Sequence, residues 1–344
     1  MTNDPVQPSS SGQNPFTVGY FQPEDADGMV RLFRSVYGEG YPIRLFYDPQ
    51  AITAANAEGR YYSIVARAPA GEVVGVTHIY NEAAPCKSLY EWGTGLVLKE
   101  YRNLGINNHL ADFLHKDFIP RNPHIEEVFG EAVCNHTHLQ KACLIYGYIE
   151  TAIEVALMPA EAYTREKSAS GRVATLTGFR CYKSKPHRIF LPVAYEDALR
   201  RVYSSLDDRR DIDVSVRKPP ADGITRAEMT VFDFAGVARI AVHESGADFS
   251  DRLRVLEEEG RGKGVVVFQV FLNLTEAWIG TAVDILRERG YFFGGPLPRW
   301  FDGDGFLMQK LLCPPDFDDI VLVSDRAKRL LEIIRRDQER AATL

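Results

Sequence analysis

The stretch Leu96-Val97-Leu98-Lys99-Glu100-Tyr101-Arg102-Asn103-Leu104-Gly105-Ile106 constrains this chain more than any other. An apolar strand ends at Leu98, a charged turn follows, and a Gly-containing loop opens into a helical run predicted over Ile106–Phe118. Such a strand-to-helix junction leaves the first helical N–H groups without internal partners. It also aims the positive helix end at one point, a setting that suits an anionic phosphate ligand.

The elements before this junction read in a definite order. Thr17–Phe21 is a short strand, and Pro23-Glu24-Asp25 starts a helix with Met29, Val30, Phe33 and Val36 at helical spacing. An aromatic loop with Tyr41, Phe46 and Tyr47 leads to a second helix near Pro49–Ala57. Tyr61–Ala68 and Val73–Tyr80 form a hairpin about Pro69-Ala70-Gly71, and Leu89–Leu98 is the strand entering the loop.

After the junction the spacing predicts strand Glu127–Val133, a helix through Leu139, Ala142, Cys143 and Tyr146, strand Ile153–Met158 and strand Arg172–Tyr182. Residues 160–170 read as a polar loop, and helix Tyr195–Leu206 follows.

Residues 1–15, rich in Ser, Pro, Asn and Gln, read as a disordered leader and not as a signal peptide. A charged segment with Pro219, Pro220 and Gly223 reads as a linker over 207–223. The expected division is therefore a first domain at 16–206 and a second at 224–344. The second repeats strand and helix patterns and ends in a helix, Ser324–Arg340, capped by Ser324.

Net charge is −7, with no Lys/Arg stripe, so no nucleic-acid partner is expected. No stretch has membrane-spanning length, so no membrane partner is expected either. Five scattered cysteines are an odd number and form no disulfide framework, which fits a reduced, cytoplasmic setting.

The element order through Tyr182, with Arg102-Asn103-Leu104-Gly105-Ile106-Asn107 between strand and helix, resembles the GNAT N-acetyltransferase superfamily and its Arg/Gln-x-x-Gly-x-Gly/Ala signature. The resemblance covers roughly Thr17–Tyr182. It implies an α/β (α+β) fold, a mixed and twisted sheet flanked by helices, followed here by a smaller, degenerate GNAT-like copy. It also implies an acyl-coenzyme A donor, usually acetyl-CoA, and a small-molecule or peptide amine as acceptor.

In that reading, backbone N–H groups of Arg102, Asn103, Leu104, Gly105, Ile106 and Asn107 hold the pyrophosphate. Backbone of Leu96 and Val97 pairs with pantetheine. Asn107 departs from the family's Gly or Ala. Asn135 and His136 fall where the family often contacts the cofactor.

Glu91, flanked by Tyr90 and Trp92, is the candidate general base for an ammonium substrate, because partial burial raises a carboxyl pKa toward working pH. The family's usual tyrosine acid is replaced at its position by Cys143. Tyr146 or water is the other source of the proton. Tyr37, Glu39 and Tyr41 lie in the loop where the family shapes its acceptor pocket.

Cys134-Asn135-His136-Thr137-His138 matches no closed zinc spacing, and the chemistry requires no metal. Gly260-Arg261-Gly262-Lys263-Gly264 precedes a strand and reads as a basic turn. The second half, lacking an Arg-x-x-Gly-x-Gly before Phe249, is expected to close one side of the acceptor site or to mediate association into a homodimer. A competing class remains open: a non-catalytic acyl-CoA-sensing or protein-interaction module that kept the fold.

Overall fold

A computed structural model describes residues 15–41, 43–160 and 171–343. Most of the expected leader and of the polar loop 160–170 therefore lies outside the described residues. The chain divides into two compact units. One takes the described residues up to Tyr80 together with Gly93–Arg121; the other takes Asn81–Trp92 and the described residues from Asn122 onward.

The first unit begins with β1 (Thr17–Tyr20), which runs antiparallel to β2 (Tyr61–Arg67). Helix α1 (Ala26–Tyr37) is entered through a turn of 3-10 helix at Pro23–Asp25. There the Asp25 carboxylate accepts the Gln22 amide at 2.6 Å and the Arg67 Nε at 2.7 Å, which ties the helix start to β2. Helix α2 (Pro49–Ala57) has Asp48 as its N-cap, accepting from the Gln50 amide at 2.9 Å.

β3 (Val73–Tyr80) completes the hairpin with β2 and is buried along its whole length. Met29, Phe33, Phe46, Val65, Val76 and Leu96 fill the core between the helices and this sheet. Strand β4 (Leu89–Val97) serves both units, its last five residues, from Gly93, belonging to the first.

Helix α3 (Ile106–Asp112) buries Ile106 and Leu110. It continues through a π turn at Phe113–Phe118 into α4 (Ile119–Arg121). Gly75 on β3 allows this close packing, because a Cβ there would stand 2.8 Å from Ile106 Cγ2.

In the second unit the start of β4 pairs parallel with β5 (Glu127–Val133), and α5 (His138–Ile145) follows. β6 (Ile149–Pro159) and β7 (Arg172–Cys181) complete the order β4-β5-β7-β6, both added antiparallel. β8 (His187–Pro192), helix α6 (Glu196–Tyr203) and β9 (Arg210–Ser215) come next, with β8 and β9 parallel. Strand β9 lies inside the segment read from sequence as a linker.

A second sheet holds β10 (Arg226–Phe232), β11 (Val237–Glu244), β12 (Val267–Asn273), β13 (Phe292–Leu297) and β14 (Gly305–Leu311), in the order β10-β11-β12-β14-β13. Helices α7 (Phe249–Gly262) and α8 (Ile279–Glu288) connect β11 to β12 and β12 to β13. The run β11-β12-β14-β13 is parallel, antiparallel, antiparallel, the same pattern as β4-β5-β7-β6. The copy extends to the helix ends: Gly147 and Gly290 are left-handed at φ 75° and 82°, each preceding a buried tyrosine.

The two larger sheets of this unit meet at β6 and β13, where Gly295 comes so close to Thr151 that no side chain fits. Terminal helix α9 (Asp325–Ala341) is capped by Ser324, whose Oγ accepts the Ala327 amide at 3.0 Å. Among the described residues no helix is long and apolar enough to cross a membrane.

Candidate functional site

The loop that most constrains the sequence is an open backbone surface in the first unit. Leu98 donates to Val74 O at 2.9 Å, which holds the end of β4 on the sheet. Tyr101 and Arg102 turn back on Leu98 and Lys99 at 3.0 and 3.3 Å. Asn103 and Gly105 then adopt left-handed backbone at φ 68° and 78°, and Gly105 is the residue before the first turn of α3. Among the described residues no hydrogen bond is made by the amides of Asn103, Leu104, Gly105, Ile106 and Asn107. Asn103, Leu104, Gly105 and Asn107 are exposed, whereas Ile106 is buried. Successive free amides at a helix start form an anion-binding concavity.

The strand entering this loop is kinked. Thr94 has φ 54°, unusual for a β-branched residue, and its Oγ1 lies 3.2 Å from Tyr41 Oη. Leu96 and Val97 beyond the kink are buried, and Arg102 Nε reaches Val97 O at 3.5 Å. The aromatic loop packs as a cluster: the Tyr37 and Tyr41 rings are 4.8 Å apart, and Tyr41 also meets Phe33 at 5.4 Å. Glu39 is exposed and paired with Arg34 at 2.9 Å.

The remaining candidates lie in the second unit. Glu91 is half-buried between buried Tyr90 and Trp92, opposite Phe129 on β5. Its charge reaches Glu131 and Arg239. Arg239 donates to Glu154 at 2.9 Å and to Glu131 at 3.3 Å, and Gln269 donates to Glu154 at 2.6 Å. Burial, and then the neighbouring Glu154 charge, hold the Glu131 carboxyl well above the usual range. Sequence reasoning missed this network; its visible trace is two acidic residues, Glu131 and Glu154, inside otherwise apolar strands.

Cys143 is buried against Gly130, and burial pushes its thiol up to about 12. Tyr146 is half-buried, its ring 5.9 Å from that of Trp92. Asn135 and His136 are half-buried at the turn after β5. Cys134 is buried and donates to Ala132 O at 3.7 Å.

The corner before α7 is built differently. Before α7, Gly246 donates to Thr225 Oγ1 at 3.0 Å and Ala247 donates to Gly223 O at 3.0 Å. Asp248 Oδ1 accepts the Thr225 amide at 2.7 Å. The chain's own segment 223–225 fills the corner before α7. Gly260–Gly262 closes α7, and a turn through Lys263 and Gly264 follows. A cleft of about 1060 Å³ lies nearby within the second unit, with His243, Ser245, Glu276, Trp278 and Phe301 in its wall.

No family model matches the sequence, and no curated protein matches it. Solved structures similar to this chain include acetyltransferases, among them ones described as of the GNAT family. The ribosomal-protein-S5-alanine acetyltransferase of Vibrio fischeri matches 51% of this chain and 97% of its own, at 10% identity and TM-score 0.39. A putative acetyltransferase of Acinetobacter baylyi matches 50% and 94%, at 13% identity and TM-score 0.41. An aminoglycoside 6′-N-acetyltransferase complexed with coenzyme A matches 49% and 99%, at 13% identity and TM-score 0.36.

Proposed function

We propose that this protein is an acyl-CoA-dependent N-acyltransferase, with acetyl-CoA as donor and a primary amine as acceptor. The observation that carries the reading is the run of unbonded amides from Asn103 to Asn107 at the start of α3. Five N–H donors, a left-handed glycine and the helix dipole suit a diphosphate far better than water alone. Arg102 to Asn107 hold the diphosphate, Leu96 and Val97 offer backbone to pantetheine, and Asn135 adds a polar contact. Tyr37, Glu39 and Tyr41 contribute to acceptor binding.

In the reaction, Glu91 accepts a proton from the ammonium acceptor, directly or through a water. The free amine attacks the thioester carbon, and a backbone N–H near Val97 meets the oxyanion. Collapse breaks the C–S bond, and the departing thiolate takes a proton from Cys143, Tyr146 or water. Of the two side chains Tyr146 reaches the surface. The chemistry requires no metal.

Acetyl-CoA is expected to raise the melting temperature of the full chain by binding its native state. Absence of any shift at millimolar ligand overturns the reading. Glu91→Gln is expected to lower thiol release with a panel of amines at least tenfold while leaving donor binding intact.

The burial of Cys143 at the family's acid position supports a second reading, an acyl-CoA-binding module without catalysis. Donor binding without thiol release for any amine would establish it.

A further inference from the structure

We propose that Glu127, Cys181 and Asp208 form a site for a thiophilic divalent cation of the zinc class. The site lies wholly in the second unit and is independent of the acyltransferase reading. The antiparallel register of β5 and β7 sets Glu127 directly opposite Cys181, so both side chains share one face. Asp208, just before β9, brings a third donor. The Glu127 and Asp208 oxygens and the Cys181 sulfur lie within 4.8 Å of one another.

The observation that points to a ligand is a pair of orphaned oxygens. Glu127 Oε2 and Asp208 Oδ2 are buried and have no hydrogen-bond partner, on residues only 2% and 7% exposed. Buried carboxylate oxygens are otherwise almost always paired. The other Asp208 oxygen is committed: Oδ1 accepts from Ser184 Oγ and, at 3.2 Å, from the Lys185 amide. These contacts fix the carboxylate and leave Oδ2 to the cluster, as outer partners orient metal ligands.

One sulfur and two carboxylates select the cation. Calcium and magnesium prefer all-oxygen shells, whereas zinc and cobalt take mixed sulfur and oxygen sets. Bond lengths of about 2.3 Å to sulfur and 2.0–2.2 Å to oxygen require the donors to draw slightly inward, and a water completes a tetrahedron. Of the nearby guanidinium groups, Arg210 is paired with Asp304 at 2.5 Å and Arg299 Nη2 with Glu126 at 2.9 Å, while Arg299 Nη1 makes no hydrogen bond. Coordination releases the Cys181 thiol proton, and the proton that burial keeps on Glu127, to solvent, and the bound cation would cross-link β5, β7 and the turn before β9.

Full-length protein stripped by a chelator and titrated with Co²⁺ is expected to develop one equivalent of a thiolate-to-cobalt charge-transfer band. Zn²⁺ should bleach that band and raise the melting temperature. Cys181→Ser should abolish the band, while Cys313→Ser, which alters another half-buried thiol, should preserve it. Asp208→Asn keeps the test decisive if the cysteine variant fails to fold; it should weaken cobalt binding by about tenfold or more. No band with excess Co²⁺ in the stripped protein overturns the site, as does a band that survives Cys181→Ser.

Discussion

Thr225 Oγ1 accepts the backbone amide of Gly246 at 3.0 Å, and this contact closes the corner before helix α7. A Cβ on Gly246 would stand 2.3 Å from Gly223 O, so segment and glycine fit only without a side chain. At Gly105 the neighbouring atom, His109 Cδ2, would be 3.9 Å from a Cβ. Gly246→Ala should therefore cost about 3 kcal/mol through overlap with backbone. Gly105→Ala should cost about 1–2 kcal/mol, from its left-handed φ alone. Urea unfolding of both variants checks the order, and equal losses would contradict the contrast between a filled and an open corner. In the acyltransferase reading Gly105→Ala should also raise KM for acetyl-CoA.

Gln309, fully buried on β14, bonds to the β6 backbone on both sides of Glu154. Its Oε1 accepts the Val155 amide at 2.8 Å, and its Nε2 donates to Ile153 O at 2.9 Å. Gln309→Leu has similar volume but leaves a buried donor and a buried acceptor unsatisfied. The expected loss is about 2–6 kcal/mol, from about 1–3 kcal/mol for each of the two orphaned groups. An unchanged denaturation midpoint would mean that the two larger sheets of the second unit hold together without this bridge.

Much of this architecture is legible in local sequence because its signals are local. The hairpin Tyr61–Tyr80 is announced by two β-rich runs around Pro69-Ala70-Gly71, and α2 by Asp48-Pro49. The junction at Arg102–Ile106 needs only a strand, a glycine and a helix in succession. What was not legible depends on partners distant in sequence. β8 and β9 are short and carry charges, so alternation does not mark them, and they are strands because they pair with each other. The Thr94 kink puts a residue in a conformation its type disfavours. Arg239 meets Glu131 and Glu154 only after two sheets have packed. The segment 207–223 reads as a linker because Pro and Gly mark breaks without saying what they fill.

Glu276 makes stability depend on pH near neutrality. Burial pushes its carboxyl up to about 7 from 4.5, against the pull of hydrogen bonds from the Ser245 hydroxyl and amide. Because the folded value lies above the unfolded one, its favourable contribution is complete below pH 4.5 and is lost as pH rises through about 7. Glu276→Gln removes that titration. The variant should gain stability relative to the parent across this window, with the difference flat at higher pH. A difference independent of pH, measured by chemical unfolding, would show that the carboxyl titrates normally.

Cys143 and Tyr146 sit one turn apart at the end of α5 and differ in what they can reach. Cys143 is 5% exposed and holds its proton up to about 12, so in the folded protein it should resist alkylation at pH 8. Cys143→Ala removes only a small buried group and should cost about 1–2 kcal/mol. In the acyltransferase reading it should leave kcat within about twofold, since a side chain enclosed against Gly130 does not meet a departing thiolate. Tyr146→Phe deletes a hydroxyl near the surface and should lower kcat while leaving donor KM unchanged, the pattern of an interaction made only in the transition state. A tenfold loss in Cys143→Ala with stability retained would reverse the assignment and make the buried thiol the acid.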